Sequence, residues 1–116
     1  EIRALSRVFL DHGLDSLIAT NTTVERPEVD AHPSHTEAGG LSGAPLTKSS
    51  TEVISAFHHE LGDRIPIIGV GGIMSAVDAA AKFSAGATLL QLYTGFIYHG
   101  PKLIRNILNS SAASAS

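Results

Sequence analysis

The stretch Ile65-Pro66-Ile67-Ile68-Gly69-Val70-Gly71-Gly72 decides the fold. Apolar on both faces and closed by two glycines, it reads as a buried strand of a parallel sheet. Ser75 is placed to cap a helix, with Asp78 in its first turn, an alanine-rich face at Ala79, Ala80 and Ala81, and Gly86 at its end. Thr88-Leu89-Leu90-Gln91-Leu92-Tyr93 then repeats the strand pattern. Strand, helix and strand in this order form the repeating unit of an α/β protein.

Working outward, Ser49 and Glu52 have the separation of a capping box. The helix they predict carries Val53, Ile54, Phe57 and Leu61 on one face and stops at Gly62. Before it, the segment from Glu25 to Thr47 is polar and broken by Pro27, Pro33, Gly39, Gly40, Gly43 and Pro45. Most such connections are about 2–6 residues, so this length marks a functional or mobile segment. Leu17-Ile18-Ala19 predicts another strand, emptying into Thr20-Asn21-Thr22-Thr23. Ile2, Leu5, Val8 and Phe9 predict a first helix, stopping at Gly13, and Pro101 opens a last one with Leu103, Ile104, Ile107 and Leu108. Residues 110–116 are only Ser and Ala and are expected to fray.

The predicted order is α-β-α-β-α-β-α, an α/β fold. Three β/α units suit either a doubly wound sheet or part of a (β/α)8 barrel, and three strands cannot close a barrel. On the barrel reading, residues 1–116 are a C-terminal portion and leave two open sheet edges.

The 116 residues carry 8 basic and 11 acidic side chains, a net charge of −3, which offers no electrostatic footprint for nucleic acid. The absence of cysteine excludes disulfides, thiolate metal sites and a cysteine nucleophile. No apolar run reaches the ~18 residues of a membrane span. His32 and His35 lack a third ligand at metal spacing, and His12, His58, His59 and His99 read as helix or surface residues, so no metal site is expected.

In parallel α/β folds ligands gather at the C-terminal strand ends. Here those ends are Thr20-Asn21-Thr22-Thr23, Gly71-Gly72 and Tyr93-Thr94-Gly95, all small or hydrogen-bonding and none charged. Glycines let a ligand approach the backbone and meet amide donors, which suits a phosphate on a polyhydroxyl chain. Gly69-Val70-Gly71-Gly72 alone could serve only a turn; it lacks the dinucleotide fingerprint and the P-loop lysine. Paired with Tyr93-Thr94-Gly95 one unit later, it matches the barrel phosphate site after the last two strands, with Phe96-Ile97-Tyr98 as a candidate short extra helix.

Four segments carry a family resemblance. Thr20 to Pro27, Gly39-Gly40-Leu41-Ser42-Gly43-Ala44-Pro45-Leu46, Pro66 to Ile73 and Leu90-Gln91-Leu92-Tyr93-Thr94-Gly95 resemble, in order and spacing, the C-terminal part of dihydroorotate dehydrogenases. The Asn-Thr-Thr form with Gly-Gly-Leu-Ser-Gly-x-Pro-Leu is similar to the quinone-dependent class 2. The resemblance implies an FMN-containing (β/α)8 barrel that oxidises dihydroorotate to orotate in pyrimidine synthesis, peripherally associated with a bacterial or mitochondrial inner membrane. It implies flavin contacts at Thr20, Gly43, Gly71, Gly72, Tyr93 and Thr94, and substrate contacts at Asn21 and Thr22. The family's catalytic serine, its flavin-side lysine and its quinone-receiving helices match nothing here: Ser42, Ser49, Ser50, Lys48, Lys82 and Lys102 do not fit. No catalytic residue is therefore expected in this segment, and alone it is expected to turn over nothing, because positioning groups act only with the base and hydride acceptor in one geometry.

Two rivals stand beside this. Another FMN barrel oxidoreductase would depart from the Asn-Thr-Thr-Val-Glu-Arg-Pro run if dihydropyrimidine dehydrogenase-like, or show basic surface if it acted on tRNA. A stand-alone α/β phosphate-binding module would fold as a cooperative monomer.

Overall fold

The computed structural model describes residues 1–25, 31–34, 36 and 38–115. Arg26 and Pro27 of the family-like run, His35 and Ser116 lie outside them. The elements are α1 (Ile2–Asp11), β1 (Leu17–Ala19), a 3-10 turn (Ala44–Leu46), α2 (Thr47–Leu61), β2 (Ile67–Val70), α3 (Ala76–Ala85), β3 (Ala87–Gln91), α4 (Thr94–His99) and α5 (Pro101–Ala115). The strands form one parallel sheet in the order β1-β2-β3.

Register decides which side chains enter the core. Ala19, Gly69 and Leu90 lie abreast, as do Ile18, Ile68 and Leu89. The first row faces the helices: a Cβ at Gly69 would stand 3.2 Å from Ile54 of α2 and 3.3 Å from Leu90. The second row lies on the opposite face, where Ile18 is 58% and Leu89 61% exposed. The strands are apolar on both faces as expected, yet helices cover only one of them here. An open apolar face of parallel strands is what lines the interior of a barrel.

A bulge between β2 and β3 sets this arrangement: Ile67 pairs with Ala87, but Ile68 pairs with Leu89. Strict alternation would put Ala87 and Leu90 on opposite faces. The extra residue at Thr88 brings both to the helix side.

The main core joins Ala19, Ile54, Phe57, Leu61, Ile65, Ile67 and Ala87. Ile54 and Leu61 are fully buried, so truncating either to alanine removes about 2–5 kcal/mol. Phe9 of α1 stacks on Phe57 with ring centroids 6.2 Å apart. The face α1 turns inward carries Ile2, Ser6, Phe9 and Leu10, whereas Leu5 and Val8, read as part of that stripe, are 40% and 50% exposed. A second core joins Ile73, Ala79, Leu103 and Ile107, with Leu90 touching both.

Helix ends agree with expectation at Gly62, Ser75, Gly86 and Pro101 and correct it at the start of α2. Ser75 caps α3, accepting from the Asp78 N–H, while the Asp78 carboxylate accepts from Met74 N–H. Ser49 and Glu52 do not form a capping box: α2 begins earlier, at Thr47, directly out of the 3-10 turn, with no side-chain cap. Glu52 instead faces solvent near Lys48. At the other end α5 spans Pro101–Ala115 and so includes residues 110–115 of the Ser and Ala stretch.

Candidate functional site

All three strands deliver their C-terminal ends to one cleft of about 370 Å³. Thr20, Asn21, Thr22, Gly43, Gly71, Gly72, Tyr93 and Thr94, every site residue expected from the sequence, line it. No charged side chain lines this cleft among the described residues, so its polarity comes from hydroxyls, amides and backbone dipoles.

At the first mouth the ladder continues one residue past β1, with Thr20 N–H donating to the Val70 carbonyl at 2.8 Å. Asn21 Oδ1 accepts from the N–H of the next residue, Thr22, at 2.8 Å. This engages the amide oxygen of Asn21 within the protein and leaves its NH2 as the group offered outward. Thr23 and Leu41 then form an antiparallel bridge through two backbone hydrogen bonds. That bridge returns the long connection to the sheet and brings Ser42 and Gly43 to the cleft. Ser42 and Thr94 hydroxyls meet at 2.9 Å, tying the connection to the third mouth.

The second mouth is built against α2. Gly71 and Gly72 have positive φ, +118° and +69°. A Cβ on Gly72 would lie 2.3 Å from the Thr47 nitrogen, which packs the loop directly on the first residue of α2. Ser50 Oγ donates to the Gly71 carbonyl at 2.8 Å, and Thr47 Oγ1 donates to the Gly72 carbonyl at 2.6 Å. In a planar trans peptide the N–H points opposite its carbonyl. The two hydroxyls therefore aim the Gly72 and Ile73 N–H groups away from α2.

At the third mouth Tyr93 lies at the rim with its side chain 73% exposed, and Thr94 and Gly95 open the short helix α4. A Cβ on Gly95 would lie 2.0 Å from the Ile73 carbonyl oxygen, so the second and third mouths touch there. The short helix expected around Phe96-Ile97-Tyr98 is α4.

Sequence reasoning missed Thr47, Ser50, Ser42 and Lys82. For the first two a signal was present. Thr47, Ser50, Ile54, Phe57 and Leu61 are spaced three and four apart, so hydroxyls continue the apolar stripe of α2. Lys82 likewise occupies the buried stripe of α3, three residues after Ala79, and is fully buried.

A family model described as Dihydroorotate dehydrogenase matches residues 1–113. The chain belongs to the dihydroorotate dehydrogenase family. It is 68% identical over 112 residues to a dihydroorotate dehydrogenase (quinone) of Akkermansia muciniphila, covering 97% of this chain and 32% of that protein. It is 53% identical to the protein of the same name from Chromobacterium violaceum, again covering 97% of this chain and 33% of the relative. The crystal structure of ligand-free DHODH from Eimeria tenella superposes with a TM-score of 0.88 at 40% identity, over 94% of this chain and 30% of that one. The same enzyme in complex with ferulenol gives 0.87. The chain thus spans about a third of these dihydroorotate dehydrogenases, and its sheet and helices are part of a TIM barrel.

Proposed function

We propose that the full-length protein containing this segment is a quinone-dependent dihydroorotate dehydrogenase that oxidises (S)-dihydroorotate to orotate in pyrimidine biosynthesis. FMN is its cofactor, a quinone its electron acceptor, and its place the surface of a bacterial or mitochondrial inner membrane, with no role for nucleic acid. The relatives' shared name, dihydroorotate dehydrogenase (quinone), supports the reaction and acceptor. No helix among the described residues is long and apolar enough to cross a membrane.

The observation that carries the reading is the convergence of two glycine mouths, Gly71-Gly72 and Thr94-Gly95, on one uncharged cleft beside Asn21 and Thr22. The residues fit FMN: glycine occupies the positions where a Cβ would meet Thr47, Thr94 or Ile73, so backbone amides line the site. The Gly72, Ile73 and Thr94 amides would hold the flavin phosphate, in the manner of barrel phosphate sites after the last two strands. Gly43 and Thr20, which also line the cleft, would contact the rest of the cofactor. FMN, when bound, supplies the hydride acceptor. Asn21 presents its NH2 to an oxygen of the substrate, and Thr22, held by Asn21, adds a hydroxyl beside it. These residues orient and bind; Ser42, Ser49 and Ser50 are engaged with Thr94, Leu46 and Gly71 and move no proton in this scheme.

The test is dihydroorotate oxidation by the full-length protein with a soluble ubiquinone analogue, together with a structure of its FMN complex. Turnover that requires FMN, with the phosphate on Gly72 and Thr94, is the expected result. Absence of turnover by FMN-loaded protein, or phosphate oxygens placed away from those residues, overturns it.

A further inference from the structure

We infer that Lys82, on α3 and outside the lining of the cleft, is a positioning residue for the phosphate end of the flavin, acting through the first turn of α2 and the Gly71-Gly72 loop. The inference rests on the cofactor reading above and names a residue that does not touch the ligand.

A lysine on a buried helix face is costly unless its ammonium is bonded. Lys82 is fully buried and bonded to two oxygens of one helical turn. Its Nζ donates to the Thr47 carbonyl at 2.9 Å and to Thr51 Oγ1. Thr51 Oγ1 in turn donates to the same Thr47 carbonyl at 2.7 Å. The clamp therefore closes on Thr47, the residue whose hydroxyl holds the Gly72 carbonyl and whose backbone the Gly72 Cα packs against.

The clamp adds to what the backbone supplies at this turn, where the Thr47 N–H already donates to the Ala44 carbonyl of the 3-10 turn. Helix ends fray where their first N–H groups have no cap. The N-cap residue of α2 is Leu46, which provides no side-chain hydrogen bond, and the first turn carries no acidic residue. Yet this turn holds Thr47 and Ser50, the two hydroxyls that set the Gly71 and Gly72 peptides. Any displacement of the turn is passed to the amides that follow those carbonyls. Lys82 ties it to α3, whose own start is capped by Ser75 and Asp78. A neutral amine still has two N–H donors for its two acceptors, so the clamp survives loss of the proton.

The test uses the full-length apoprotein and compares its affinity for FMN with that for riboflavin, which lacks the phosphate, by flavin fluorescence titration. Wild type should prefer FMN; equal affinities would overturn the cofactor reading itself. In Lys82→Met, FMN affinity should fall at least tenfold while riboflavin affinity stays within twofold. General destabilisation would weaken both flavins alike and would overturn the inference while leaving the cofactor reading in place. Thr51→Val, close to isosteric and outside the cleft, should lower the FMN preference in the same direction by a smaller factor. It decides the matter if Lys82→Met fails to fold: an unchanged FMN-to-riboflavin ratio in Thr51→Val removes the clamp from the phosphate site.

Discussion

Replacing Gly72 by alanine separates a close backbone approach from simple turn geometry, because Gly13 provides a control with nearly the same φ. Gly13 has φ +64° and open space where a Cβ would stand, whereas Gly72 has φ +69° and Thr47 backbone atoms at 2.3 and 2.5 Å. An L-residue in the left-handed region costs about 1–2 kcal/mol, and both variants bear that cost. Only Gly72→Ala adds overpacking, about 1–3 kcal/mol, since ordinary contact begins at 3.4 Å and the opposing atoms are helix backbone held by Lys82. The loop must then retreat by about 1 Å, a misplacement that can lower function on the order of 100-fold. In the full-length protein, urea unfolding should show Gly72→Ala less stable than Gly13→Ala by that overpacking increment. Flavin titration should show FMN affinity lost in Gly72→Ala and retained in Gly13→Ala. Stabilities equal within about 0.5 kcal/mol, with FMN affinity intact in both, would refute the packing of Gly72 on Thr47 as the feature that shapes the site.

Two further outcomes follow from the same geometry. On the proposed substrate contact, Asn21→Asp replaces an NH2 donor by a carboxylate, so KM for dihydroorotate should rise more than tenfold, by about 1.5–3 kcal/mol, and exceed the rise in Asn21→Ala; steady-state kinetics at unchanged FMN content checks it. Burial pushes the Lys82 ammonium below the ordinary lysine value of 10.5, with the Asp78 carboxylate partly opposing. Between the two values the native state binds fewer protons than the unfolded chain, so the Lys82 contribution to stability rises with pH through that window, complete above 10.5 and lost as pH falls through the native value. Unfolding midpoints measured across that window should show this slope in wild type and not in Lys82→Met.

The strand and helix order, the three glycine- and hydroxyl-rich mouths, and the Ser75 cap were legible because each is local: apolar runs, turn residues and short separations act within one segment. The misreadings came where a neighbouring element overruled the local signal. Ser49 and Glu52 have capping-box spacing, but the 3-10 turn at Ala44–Leu46 runs into the helix and starts it at Thr47. Leu5 and Val8 are helical and apolar, but α2 meets the neighbouring face of α1, through Phe9 and Phe57.

By itself, then, the sequence determined the class of fold, the places where strands empty into loops, and the uncharged character of those loops, since each depends on residue type and spacing along the chain. Only the tertiary structure decided that Thr88 is a bulge residue bringing Ala87 and Leu90 to the same side, and that Thr47, Ser50 and Lys82 form the scaffold behind the glycines. The physical reason is that a hydroxyl or an ammonium on an apolar stripe has no meaning until its acceptor is known. Here the acceptors are carbonyls 21, 25 and 35 residues away, supplied by another element.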